Sequence, residues 1–199
     1  MLAPGTQLRQ EEVASRLAVS ATPVREAFGI LETEGFLRRR PHRGVVVAEA
    51  DHIDMRDRYE IRGVLEALAV ERLIARRDPA AVEGLEQILE EARAALTIPD
   101  VHRFRLTSLE FHSAIARWSG SDIFAEVHSL LARRTLFRPP LDRARMKRSH
   151  REHTGIVAAI HQRDAATASA LIRKHMKWNS ALVQRARMTR AKAEHGGVA

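Results

Sequence analysis

Val24, Ala27, Phe28 and Leu31 recur at the three- and four-residue spacing of one helix face. The run predicts a helix that turns this face to a small core. A shorter helix is predicted before it, over Glu11 to Leu17, after a turn at Pro4-Gly5. Thr22-Pro23 places a hydroxyl cap beside a proline at the first helical position, and Gly35 is a stop signal. The period then changes. Leu37 to Arg40 and Val45 to Ala48 read as two strands, with Pro41 to Gly44 as the tight tip between them.

From about Asp51 strand signals vanish and helical periodicity takes over. Asp51 to Ala75 carries Ile53, Met55, Ile61, Val64, Leu65, Leu68 and Ala69. Further helices are predicted from Pro79 to about Leu96, Val101 to Ser119, Ile123 to Leu136 and, after the break at Pro139-Pro140, Asp142 to Gln162. Asp164 caps a long last helix to about Met188, and the tail from His195 to Ala199 is expected to fray. No internal repeat is visible. The expected fold class is mainly α: a winged helix-turn-helix over residues 1–50, followed by an all-α bundle over 51–199.

Composition narrows the partners. The 199 residues carry a formal net charge of +8, which favours a polyanion. The basic residues cluster at the wing tip, between Arg133 and Arg151, and in the tail from Lys174 to Lys192. The two later runs also read as solvated helix faces. With no cysteine, disulfides and thiolate metal sites are excluded, which fits the cytoplasm. No apolar run approaches the roughly 18 residues of a membrane span, and no signal-peptide pattern is present, so a membrane partner is not expected.

An ordered turn, helix and wing is the layout of a double-stranded DNA reader. Ser20 and Thr22 are short donors at a helix N-terminus, suited to phosphate, with Pro23 fixing the helix start. Arg25, one turn in, can reach guanine O6 and N7. Arg43 at the wing tip suits a minor groove, and Gly44 allows close backbone approach. Strand alternation lets only some of Arg38, Arg39 and Arg40 face DNA. The alternative is that Ser20 and Thr22 only cap the helix and Arg25 pairs with a nearby glutamate.

The bundle holds a second candidate. His112, His153 and His175 each sit on a different expected helix beside apolar neighbours. Three helices can aim three imidazoles at one point, an arrangement suited to Zn²⁺ or Ni²⁺. Three unconnected core or surface histidines are the alternative. The other seven, His128 among them, read as surface residues.

The chain resembles the GntR superfamily of bacterial transcription regulators, in the FadR-type branch with an FCD effector domain. The N-terminal likeness runs from Pro4-Gly5-Thr6-Gln7-Leu8 through Val19-Ser20-Ala21-Thr22-Pro23-Val24-Arg25-Glu26-Ala27 to Gly35 and Arg43-Gly44. The effector-domain likeness lies in Tyr59-Glu60-Ile61-Arg62-Gly63-Val64-Leu65-Glu66, Glu110-Phe111-His112, and Glu152-His153 through Asp164 to His175. The resemblance implies a divalent metal held by three histidines and an aspartate one turn before the first. His112, His153 and His175 take the histidine positions, and Ser108 stands at the aspartate position. It further implies that Arg62 faces an effector pocket, where its guanidinium forks onto a carboxylate; a surface ion pair with Glu66 is the alternative. Two departures stand out. Met1 falls almost on the Pro-Gly turn that a further helix precedes in the family, and Ala21 replaces a common arginine.

Together these features predict a homodimeric regulator. It would bind a pseudo-palindromic operator and respond to a small organic acid that biases the angle between paired DNA domains. A metal-dependent enzyme on the bundle and a degenerate regulator without functional metal are the competing readings. No nucleophile paired with a general base supports the enzyme.

Overall fold

In the computed structural model, which describes residues 2, 5–48, 52–133 and 141–195, the chain forms two compact units, Met1–Asp51 and His52–Ala199. The first contains β1 (Gln7–Leu8), α1 (Gln10–Leu17), α2 (Ala21–Thr33), β2 (Leu37–Arg40) and β3 (Gly44–Val47). The second contains α3 (His52–Arg76), α4 (Pro79–Thr97), α5 (Val101–Trp118), α6 (Asp122–Arg133), α7 (Arg143–His161) and α8 (Ala165–His195).

In the first unit Ala18 takes a left-handed conformation (φ 53°) and ends α1. Val19 N–H then bonds Ala14 O at 3.1 Å, so the chain reverses within three residues and enters α2. The cap of α2 is Ser20, not Thr22, and its hydroxyl makes no capping hydrogen bond. Thr22 and Pro23 are the second and third helical residues, where a proline's missing N–H costs nothing. Val24 and Phe28 are buried and Leu31 partly so, but Ala27 is exposed, so the core stripe is narrower than expected. The sheet has the order β1-β3-β2, both pairs antiparallel, with Leu37 opposite Val47 and Arg40 opposite Gly44. The two-residue β1 was not anticipated, because so short a segment has no period to read. It pairs Gln7 with Val46 and Leu8 with Val45, which helps bury β3.

The second unit is helical throughout its described residues. Asp78, Asp100 and Asp142 each accept a backbone N–H at a helix start. The core joins Ala67, Val70 and Leu73 of α3 to Leu85 of α4, Phe111 and Ile115 of α5, Ile156 and Ile160 of α7, and Ile172 of α8. α8 continues to His195, seven residues beyond the expected Met188, so the expected fraying does not begin at that histidine. The expected extension of α6 to Leu136, the Pro139-Pro140 break and the tail from Gly196 lie outside the described residues. No described helix is long and apolar enough to cross a membrane.

Gly84 of α4 shows how tightly the bundle is packed. A Cβ placed there would sit 2.2 Å from the Trp118 ring. Helix propensity favours alanine over glycine by about 1 kcal/mol, whereas overpacking costs about 1–3 kcal/mol. Gly84→Ala is therefore expected to lower the melting temperature, the opposite of its propensity effect, as measured by thermal unfolding.

Candidate metal centre and nucleic-acid interface

The outer face of α2 presents Ser20, Ala21, Thr22, Pro23 and Arg25, all exposed. Among the described residues Arg25 takes part in no ion pair, so the expected alternative of a glutamate partner is not realised. The wing sorts its arginines by alternation. Arg39 turns back onto α2 and donates to Glu32 at 3.1 Å. Arg38, Arg40 and Arg43 instead line a groove of about 370 Å³ with Gly5, Pro41, Val46 and Val47. The sequence left open which of the three strand arginines face outward; their period of two separates them. Gly44 has φ 64°, which strains any residue with a Cβ, so this glycine sets the turn as well as leaving open space.

The second constellation lies inside the bundle. His112 on α5, His153 on α7 and His175 on α8 are buried, and one ring nitrogen from each lies within 4.8 Å of the others. The Nε2 atoms of His153 and His175 are 3.3 Å apart. Phe111 stacks on the His153 ring with centroids 4.3 Å apart, which fixes its plane. The alternative of three unconnected histidines is excluded by this convergence.

A carboxylate lies at the outer ring nitrogen of two of the histidines. His175 Nδ1 donates to Glu152 Oε2 at 2.6 Å, and Arg148, stacked on Trp178, donates Nε to Glu152 Oε1 at 2.8 Å. His112 Nδ1 lies 2.7 Å from Glu66 Oε2. Glu66 Oε1 in turn takes Arg62 Nε at 2.8 Å and lies 3.1 Å from His128 Nε2. Arg62 is wholly buried, so its pair with Glu66 is internal and not at the surface as the sequence alternative had it. His128 is buried too, which corrects its reading as a surface residue. The sequence pointed to Glu66 only as a surface partner of Arg62, and to His128 only as a surface histidine. The signal available was position: Glu66 falls between Gly63, Ala67 and Val70 on the buried side of α3, and His128 lies one turn from Phe124 and from Ala132.

The electrostatics follow from burial. Burial lowers His112 to about 3, so the imidazole is neutral near pH 7 and keeps a lone pair to donate. Burial alone would raise the Glu66 carboxyl, but Arg62, His112 and His128 together hold it well below the usual carboxylate range. Glu152 is likewise lowered against burial, by His175 and Arg148. Ser108, one turn before His112, is buried, and its hydroxyl finds no hydrogen-bond partner; neither ring nitrogen of His112 has an aligned one. Such atoms are costly inside a protein. Three converging imidazoles, with a carboxylate bonded at the outer nitrogen of His175 and another beside that of His112, form a donor set that fits a borderline divalent metal.

Comparison with known proteins gives a family for each of the two units. The family described as bacterial regulatory proteins, gntR family, matches residues 1–47, and the FCD domain family matches residues 57–177. The chain belongs to the GntR regulators with an FCD domain. It is similar to the Nta operon transcriptional regulator of Aminobacter aminovorans, 27% identical with 87% of this chain and 82% of that protein covered. It is also similar to the transcriptional repressor RspR of Escherichia coli K12, 27% identical with 94% and 83% covered. Among solved structures, E. coli McbR/YncC shares the fold with a TM-score of 0.79, 24% identity and coverage of 94% and 90%. The family is one of DNA-binding transcription regulators, and its FCD domain here contains a buried histidine triad that can hold a metal ion.

Two outcomes test the buried network. Glu66→Ala strips the partner from a wholly buried Arg62 and is expected to cost about 3–5 kcal/mol in chemical denaturation. For metal-free protein, the native His112 binds fewer protons than its unfolded form between about 3 and its usual 6.5, so stability falls as pH drops through that window. Loss of the Glu66 contribution adds to the fall once pH passes below the usual 4.5. Denaturation midpoints measured from pH 7 to 4 check the sign.

Proposed function

We propose that this protein is a ligand-responsive transcription regulator, not an enzyme. It binds operator DNA as a homodimer, and a small carboxylate effector reaches a metal-containing FCD domain. The observation that carries the effector half is the convergence of His112, His153 and His175 with Glu66 and Glu152 behind two of them. On this reading the three histidines hold zinc or nickel. When bound, such an ion supplies a Lewis-acidic position that takes an oxygen ligand.

The chain's own residues do the rest. Glu152 holds the His175 ring by its outer nitrogen and Glu66 stands beside that of His112, so both inner nitrogens stay directed inward. Ser108 offers its unpartnered hydroxyl beside His112, for an effector oxygen or a water. Arg62 serves the site through Glu66, whose carboxylate it holds; an effector carboxylate engages Arg62 only by displacing Glu66. The absence of a nucleophile and base pair among the residues around the triad supports a sensing site over a hydrolytic one.

At the DNA end, Ser20 and Thr22 contact phosphate at the α2 N-terminus, and Pro23 holds that turn in shape. Arg25 reads a base edge, while Arg43 enters the minor groove over the tip that Gly44 shapes. Among the described residues the Ser20 hydroxyl makes no capping bond and Arg25 no ion pair, which supports this assignment.

Elemental analysis of purified protein is expected to give about one divalent ion per chain and none for His112→Ala; a metal-free wild type overturns the effector site. Arg25→Ala is expected to weaken operator binding by about 1–3 kcal/mol, roughly ten- to a hundredfold, in a mobility-shift titration at fixed salt. Operator affinity of metal-loaded protein that no carboxylate changes defeats the ligand response.

A further inference from the structure

Charge is distributed unevenly along this chain. Residues 143–185, which form α7, α8 and the turn between them, carry ten Lys or Arg and two Asp or Glu. Ten minus two is eight, the formal net charge of all 199 residues, so the rest of the chain is neutral in sum. The excess positive charge of the protein thus lies on one helical hairpin. Its two acids are spent locally. Glu152 accepts from Arg148 and His175, and Asp164 accepts the Thr167 N–H at the start of α8.

The basic side chains share a face. Three contacts set the register of this antiparallel pair. Arg148 lies 4.3 Å over the Trp178 ring, Glu152 bonds His175, and a Cβ on Gly155 would lie 3.8 Å from Leu171. One side of each helix is buried, with Ile156 and Ile160 on α7 and Ile172 and Met176 on α8. The opposite sides are exposed. On α7 they carry Arg143, Lys147 and Arg151, spaced by four, a row about 12 Å long at 1.5 Å per residue. On α8 they carry Lys174 and Lys177. The register sets Lys174 level with Arg151, and Lys177 between the levels of Lys147 and Arg151. Among the described residues none of these five takes part in an ion pair. A surface of one sign without its own counter-charges fits a polyanion.

We propose that this face of α7 and α8 lies against the phosphates of duplex DNA outside the base pairs that the first unit reads; the proposal rests on the DNA-binding reading above. The α7 row spans the axial length of about three to four phosphates of one strand, at about 3.4 Å each. Other polyanions fit less well. Among the described residues of the hairpin no large apolar side chain is exposed, so the face has nothing to insert into a lipid surface. Its one large aromatic ring, Trp178, is half-buried under Arg148, a poor platform for single-stranded bases. A duplex needs neither feature, and the covalent link to a DNA-bound first unit keeps one close. The contact reads no bases, so it adds affinity and salt dependence without adding specificity.

Binding of the full chain to a mixed-sequence duplex of about 60 bp, titrated from about 50 to 200 mM salt, tests this. The slope of log affinity against log salt is expected to fall by about 0.9 for each contact removed in Lys147→Gln/Arg151→Gln and in Lys174→Gln/Lys177→Gln. The fall should be the same on a second mixed-sequence duplex. Lys147→Arg/Arg151→Lys keeps both charges and should keep the wild-type slope. Arg77→Gln/Arg103→Gln removes two exposed charges elsewhere on the same unit and should also keep it. Helicity by circular dichroism should match wild type throughout. Equal loss of slope in the Arg77/Arg103 control overturns the proposal. Binding to phosphatidylserine vesicles or to single-stranded DNA that the glutamine variants lose, while the duplex slope holds, overturns it too. A wild type that binds no duplex overturns the DNA-binding reading and this proposal with it. A wild type that binds with a slope unchanged in the α7 and α8 variants overturns this proposal alone.

Discussion

A carboxylate placed inside a helical bundle survives there only if cations and hydrogen-bond donors surround it, and Glu66 meets that condition from three helices at once. Arg62 comes from its own helix, His128 from α6 and His112 from α5. The cost of desolvating these groups is met only when all are in place, which makes their mutual geometry narrow. The position of the His112 ring is one consequence, since its outer nitrogen is drawn to Glu66 and its inner nitrogen is left toward the triad. Glu152 plays the matching part for His175 from the half-exposed side of α7. The triad is thus held from two directions by carboxylates that differ in exposure. One is locked in the interior, and the other is in reach of solvent and of Arg148.

The DNA-reading unit obeys the opposite constraint. Its core is small, built from Val24 and Phe28 of α2, Leu37 of β2 and the β3 valines. Everything that could meet a nucleic acid stays outside it. The short β1 covers the free side of β3, and Arg39 ties β2 to α2 through Glu32, so the wing is braced at both edges. That bracing leaves Arg38, Arg40 and Arg43 together on a common groove without asking them to hold the fold.

Legibility in the sequence follows the range of the interaction that sets each feature. The helices of the bundle were visible because a 3.6-residue apolar period is local, and their expected starts at Pro79, Val101 and Asp142 fall beside or on the aspartates Asp78, Asp100 and Asp142 that accept the capping bonds. The two hairpin strands were visible from their period and turn residues. β1 was not, since two residues carry no pattern and owe their strand geometry to β3. Thr22-Pro23 looked like the start of α2, but the left-handed Ala18 ends α1 early enough for Ser20 to take that place. The histidine triad was one of two open possibilities on residues alone, and the family resemblance singled it out. Glu66 and His128 stayed hidden because charged and polar residues read as surface by default. Only the tertiary meeting of α3, α5 and α6 makes them interior.

Ser108 leaves the triad without a carboxylate of its own one turn before His112. A carboxylate one turn before His112 would bring a negative charge into the triad; serine brings a hydroxyl and no charge. On the proposed reading, a divalent ion held by the three imidazoles would keep its full charge in the buried site, apart from the field of Glu66 behind His112. Glu66 is already shared with Arg62 and His128, so its offset is incomplete. The remaining positive potential would then favour an anionic ligand more strongly than a site with its own aspartate would. On the proposed reading, the substitution that weakens the protein's own hold on the metal also raises the share of the coordination that a carboxylate effector supplies. Metal and effector would then bind with positive coupling, each tightening the other by the same factor.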